Sequence, residues 1–227
     1  TAYAPQQSPN LALAGKGNVR YAQNVGGAPE AETAFCAYSK PGGWGADLHQ
    51  ACEIRQKSLA QNIDQLEHLL SPENVEQLQK IRPIDQMQMR FALGQLDAYE
   101  GKMDKAITQW EADYQSVGSE IPGALSQLEI ALGAGYLHKS EMENGIYTAP
   151  GDRCIFPPKS KTPFKQTADS VKAIQYFERY LADKPDDLEA RWLLNLAYMT
   201  VGKYPEGVPA RYLIPAPAFE TPPSQQV

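Results

Sequence analysis

The chain has 227 residues, 42% of them hydrophobic, and a net charge of −6. That is enough apolar material for a sizeable core, and it excludes a highly charged, disordered chain. Lys and Arg are scattered rather than gathered in a stripe, which disfavours nucleic acid and anionic membrane surfaces. No apolar run reaches the roughly 20 residues of a membrane-spanning helix.

Residues 1–45 are the least regular part. Pro5, Pro9, Gly15, Gly17, Gly26, Gly27, Pro29, Pro41, Gly42, Gly43 and Gly45 interrupt every short apolar run, so neither a packed helix nor a central strand is expected. Tyr3, Tyr21, Phe35, Tyr38 and Trp44 would give an extended arm its anchors on a partner, and a mobile tail is the equal alternative. The opening Thr1, without Met or a signal-type apolar segment, fits a processed amino terminus, and export is the expected destination. Cys36, Cys52 and Cys154 leave an odd thiol whatever the pairing. Cys36 with Cys52 is the natural disulfide, and pairing of Cys154 with either is the alternative.

From residue 46 to 70 the apolar residues Leu48, Cys52, Ile54, Leu59, Ile63, Leu66 and Leu70 recur near a period of 3.6, which predicts one long amphipathic helix. A shorter helix is expected from Pro72 to about Ile81, capped by Ser71 and broken by Pro83. Together, residues 46–83 read as a hairpin that caps the end of a helical array.

Residues 84–204 carry a recurring pattern. Between Met87 and Val117, Leu93-Gly94 lies on one helix, Gly101 in the turn, and Ala106 and Trp110 four apart on the next. Asp97 stands where an aromatic residue is expected on the first helix. A second first-helix, from Ser126 to Glu143, carries Leu132-Gly133 and Tyr136. Its partner, with Ala173 and Phe177 four apart, is delayed by an insertion over residues 145–168, expected to emerge as a loop on one face. Pro185 ends that partner. Trp192, Leu194, Tyr198 and Gly202 mark a further first-helix, after which Pro205, Pro209 and Pro215 prevent a companion. Residues 205–227 read as a Pro-rich tail or linker.

This punctuation resembles the tetratricopeptide helical hairpin, whose repeat is about 34 residues. The predicted fold is therefore all-α, a tetratricopeptide-like hairpin array with an irregular amino-terminal arm and a Pro-rich tail. The string Cys154-Ile155-Phe156-Pro157, then PDDLEARWLLNLAYMTVGKYPEGVP at 185–209, then Tyr212-Leu213-Ile214-Pro215, is similar to the tetratricopeptide module that precedes FG-GAP (VCBS) propeller and ASPIC/UnbV domains. The resemblance covers roughly residues 87–217. It implies a mostly exported protein, in the periplasm or outside the cell. In that family a calcium-binding propeller normally follows; here the sequence given stops at Val227, after a linker-like FETPPSQQV.

In such arrays the first helices line a concave face. By repeat spacing, Phe91, Ile130, Leu137, Trp192, Leu196 and Met199 would face it, forming an apolar groove for a partner's helix or extended peptide. The other occupant left open is the chain's own tail, through Tyr212, Leu213, Ile214 and Phe219.

Chemistry is harder to place. The insertion brings Tyr147, Arg153, Cys154, Phe156, Lys159 and Lys161 near His138 and Glu141, and a Cys beside a His is a raw material for metal binding or an activated thiolate. No second metal-type ligand stands at short fixed spacing, and His49 and His68 are too far apart to share a turn. Phosphate-cradling glycine loops, CxxCH, HExxH and Asp-rich calcium loops are absent from the sequence. The expectation is a non-enzymatic interaction scaffold or structural subunit of an exported assembly, with no cofactor or metal. The alternatives are a substrate-positioning module of an exported enzyme and a filament-forming subunit whose arm reaches into a neighbour.

Overall fold

Asp47 opens the first described element: its Oδ1 accepts the backbone N–H of His49 at 2.9 Å and of Gln50 at 3.4 Å, capping helix α1 (Leu48–Leu69). The computed structural model describes residues 47–117, 122–148 and 164–219. These residues form α-helices and 3₁₀ turns, and no strand occurs among the described residues. The chain is all-helical and divides into two units, Thr1–Leu125 and Ser126–Val227. The arm at residues 1–45, including Cys36, lies outside the described residues, as do Cys154 and Phe156 of the insertion.

In the first unit, α1 buries only Ser58, at its midpoint, and Ile63 and Leu66 in its second half. Ile63 and Leu66 join Met89, Ala92, Leu93 and Leu96 of α3 (Pro83–Tyr99) in one apolar layer, edged by Leu59, Leu69, Leu70, Leu78 and Ile81. The long helix expected over 46–70 is present. Its expected companion is not: residues 72–81 form a 3₁₀ turn, Pro72–Asn74, and a single turn of helix α2, Val75–Leu78. Neither turn fully buries a residue, and the partial packing of Leu78 and Ile81 on the apolar layer is too little to offset the cost of extending so short a helix. Ser71 makes no capping bond. Asn74 works there instead, its amide donating to the carbonyl of His68 at 2.6 Å and to Ser71 Oγ at 3.4 Å. Gln86 closes the far end by donating to the carbonyls of Leu78 and Ile81, at 2.8 and 2.9 Å.

Helix α3 turns at Gly101, whose φ of 76° suits a residue without Cβ, into α4 (Met103–Val117). The two helices meet where Gly94 faces Trp110. A Cβ on Gly94 would lie 2.5 Å from the indole nitrogen, so only glycine admits the ring. The buried indole N–H donates to the carbonyl of Phe91 at 3.2 Å, and Ala106, one turn before Trp110, is fully buried.

The second unit repeats this device across a longer connection. Helix α5 (Pro122–Glu143) carries Gly133 against the ring of Phe177 on α6 (Ala168–Asp183), where a Cβ would come within 2.6 Å of Phe177. Ala173 again lies one turn before the aromatic residue and is fully buried. Helix α7 (Leu188–Thr200) is capped by Asp187, which accepts the N–H of Ala190 at 3.0 Å and the hydroxyl of Tyr180 at 2.7 Å. Three buried hydroxyls tie these helices together. Ser170 Oγ lies 2.6 Å from Ser140 Oγ and 2.8 Å from Thr200 Oγ1, which is itself 2.7 Å from the carbonyl of Ala197. Hydroxyls placed in a dry core need one another, and here one comes from each of three helices.

The insertion leaves α5 and rejoins the chain at one clamp. Asn144 donates to the carbonyls of Ser140 and Gln166, both at 2.8 Å, and its Oδ1 accepts the N–H groups of Lys165 and Gln166. Lys139, one turn before the end of α5, bridges Glu143 at 3.1 Å and Asp169 at 2.9 Å. Among the described residues no helix is long and apolar enough to cross a membrane.

Candidate functional site

Helix α7 is open at its start and buried over its later turns. Asn195 is completely buried there. Its amide donates to the carbonyl of Arg191 at 2.7 Å, as a local helix bond, and to the carbonyl of Tyr212 at 2.9 Å, while its Oδ1 accepts the N–H of Ile214 at 3.1 Å. The irregular backbone at 212–214 is thus given on α7 the partners that a strand or helix would otherwise supply. Tyr212, 1% exposed, reaches past it to donate its hydroxyl to the carbonyl of Leu181 on α6 at 2.8 Å. Tyr204 donates to the carbonyl of Ile214 at 2.8 Å, and Arg211 lies over the Tyr212 ring at 4.4 Å.

The same stripe of α7, nearer its N-terminus, carries Leu188 and Trp192, which with Asn195 follow the i, i+4, i+7 spacing and are 70% and 43% exposed. Both sit in the first two turns, fixed by the Asp187 cap.

This arrangement corrects the expected groove. Of its six residues, Ile130, Leu137, Leu196 and Met199 are buried in the second unit and Phe91 in the first, where its ring lies 5.9 Å from that of Trp110. They are core. Only Trp192 offers surface. Repeat spacing identifies which helix face an apolar residue occupies, but it does not show whether packing leaves that face open.

At the root of the insertion the structure brings together three residues singled out from the sequence. Tyr147 donates its hydroxyl to Glu141 Oε2 at 2.7 Å, and its oxygen lies 2.9 Å from His138 Nδ1. Burial, then the bond to Glu141, holds the phenol proton well above the usual tyrosine range. The result is a hydrogen-bonded surface cluster that fixes the turn after α5. Cys154, the thiol expected near this cluster, lies outside the described residues. Cys52 is exposed on α1 and makes no disulfide among the described residues. No group of three or more His, Cys, Asp or Glu side chains placed to hold a metal occurs among the described residues.

Two buried acidic residues of the first unit, Asp113 and Asp97, are not among the candidate site residues read from the sequence. Asp113 on α4 is buried against Arg90, whose Nε donates at 2.6 Å, and its other oxygen is unpartnered. Burial pushes its carboxyl up to about 7, against the pull of Arg90. Asp97 on α3 is 1% exposed, with neither oxygen hydrogen-bonded. The signal for both is a charged residue inside an otherwise apolar helix face.

No family model, curated protein or solved structure matches the chain.

Proposed function

We propose that the chain is an interaction module built from tetratricopeptide-like hairpins, acting as a scaffold or structural subunit of an exported, periplasmic or extracellular, assembly. The observation that carries the reading is the Leu188 and Trp192 pair, held in the open on the first two turns of a well-capped helix whose later turns are buried and hold the tail through Asn195. The twofold use of a glycine seated against an aromatic ring, with an alanine one turn before it, supports the hairpin assignment. The resemblance of 185–215 to the modules preceding FG-GAP and ASPIC/UnbV domains supports the compartment.

In this reading the partner covers Trp192 and Leu188, and residues 1–45 supply a second, extended contact. The exposed parts of the two side chains amount to about 200 Å², worth about 5 kcal/mol in gross apolar burial. Ordering costs consume part of that, so the pair acts as an anchor within a larger interface. The Leu188→Ser/Trp192→Ala variant is expected to keep the far-ultraviolet circular dichroism of the parent. By native mass spectrometry of material isolated gently from its source, it should no longer be found in the assembly. An assembly of unchanged mass and occupancy would remove this face as the contact.

A further inference from the structure

Asp97 sits near the end of α3, directly after Leu96 of the apolar layer shared with α1. It is 1% exposed and neither carboxylate oxygen has a hydrogen-bond donor. The charged groups that face it come from each neighbouring element: Glu67 from α1, Lys105 from α4, Glu100 from the end of α3 and Lys102 from the turn. These four are already paired with one another. Lys105 holds Glu67 at 2.9 Å, tying α4 to α1 across 38 positions of sequence, and Lys102 holds Glu100.

We infer that Asp97 is a proton-operated latch on α1, closed while its buried carboxyl is neutral and released when that carboxyl ionises. In the neutral state the buried acid adjoins the apolar layer with no hydrogen-bond donor on either oxygen, and Lys105 is left to Glu67. Ionisation places a bare charge there, which must draw in water or a lysine. Lys105 is the lysine that both acts on Asp97 electrostatically and holds α1 through Glu67, so satisfying Asp97 with it takes the lysine from Glu67. Helix α1 is poorly defended against this change, since only Ser58, Ile63 and Leu66 are buried along its 22 residues.

The electrostatics agree in direction. Desolvation raises the Asp97 carboxyl above the ordinary aspartate range; Lys105 and Lys102 oppose the rise, and Glu67 and Glu100 add to it. A carboxyl with a raised folded-state pKa makes the folded form bind more protons than the unfolded form. Its contribution is therefore fully present at acid pH, below the ordinary aspartate range near about 4, and is lost as pH rises through the folded value. The latch is closed in acid and loosened toward alkaline pH.

The test follows two signals in the full chain between pH 4 and 8.5: the carboxyl carbon resonance of Asp97, and the hydrogen exchange of the amides in residues 59–69, corrected for the intrinsic pH dependence of exchange. The expected result is an Asp97 titration above that of ordinary aspartates. The α1 amides should open about tenfold more for each unit of that displacement. Asp97→Asn should flatten the α1 profile while Asp113→Asn leaves it in place. An Asp97 resonance that titrates at or below the ordinary aspartate range overturns the latch, and this readout does not depend on any variant folding. So does a pH profile of α1 exchange that survives in Asp97→Asn.

Discussion

Replacing Asn195 by Ala isolates the interaction that turns the carboxy-terminal segment from a linker into part of the fold. The substitution deletes the two bonds to the tail, one donated to the Tyr212 carbonyl and one accepted from the Ile214 N–H, and leaves both backbone groups without those partners. A hydrogen bond contributes about 1 kcal/mol net, and a buried group left unpaired costs about 1–3 kcal/mol. The tail should therefore be less firmly held by about 2–4 kcal/mol, even though the bond from Tyr212 to Leu181 remains. Arg211 is exposed and immediately precedes the buried Tyr212, so tryptic cleavage there reports release of the segment. When opening is fast relative to cleavage, the rate follows the open population, and about 2 kcal/mol corresponds to roughly a thirtyfold increase. Cleavage at Arg211 with the rate of the parent protein would refute the reasoning, because the tail would then be held by something other than Asn195.

Two further predictions concern the first and second units separately. Gly94→Ala and Gly133→Ala push a methyl group to 2.5 Å from Trp110 and 2.6 Å from Phe177. Overpacking of about 1–3 kcal/mol should exceed the helix-propensity gain of about 1 kcal/mol, so each variant should unfold at lower urea concentration than the parent. Asp113 should make the parent less stable as pH rises from about 4 to about 7, because its folded carboxyl is raised to about 7 and the bound proton is lost across that window. The contribution is on the order of 2–4 kcal/mol. Urea midpoints measured at pH 5 and pH 8 should differ less in Asp113→Asn than in the parent.

The helices are legible in the sequence because their apolar periodicity and their punctuation agree. Ala106 and Trp110, and Ala173 and Phe177, are small-then-large pairs, and in each unit the large residue seats against a glycine of the preceding helix. The delay between Gly133 and Phe177 does not obscure the pattern. The all-helical class, the long α1, the turn at Gly101 and the start of α7 at Asp187 follow from the same signals.

The illegible features depend on contacts between distant, irregular segments. The shortness of α2 reflects how little it buries, Leu78 being only partly covered by the apolar layer, which Pro72 and Pro83 alone do not disclose. The groove residues carry correct apolar signals, but repeat spacing assigns them to an open surface. Their burial, apart from Trp192, depends on how the chain packs around them. Asn195 within LLNLA looks like a tolerated polar residue, and its task is set by the backbone at 212–214, which has no periodic signature. Asp97 stands out in the sequence only as a missing aromatic side chain, since burial, the property that matters, is not written in the residue.

The most direct test of the account is hydroxyl-radical footprinting of the isolated chain beside the same chain in its native assembly, with oxidation read residue by residue. The account expects Trp192 and Leu188 to be reactive in the isolated chain and protected in the assembly, with Tyr212 protected in both. A reactive Tyr212 in the isolated chain, or a Trp192 equally reactive in both states, would contradict it.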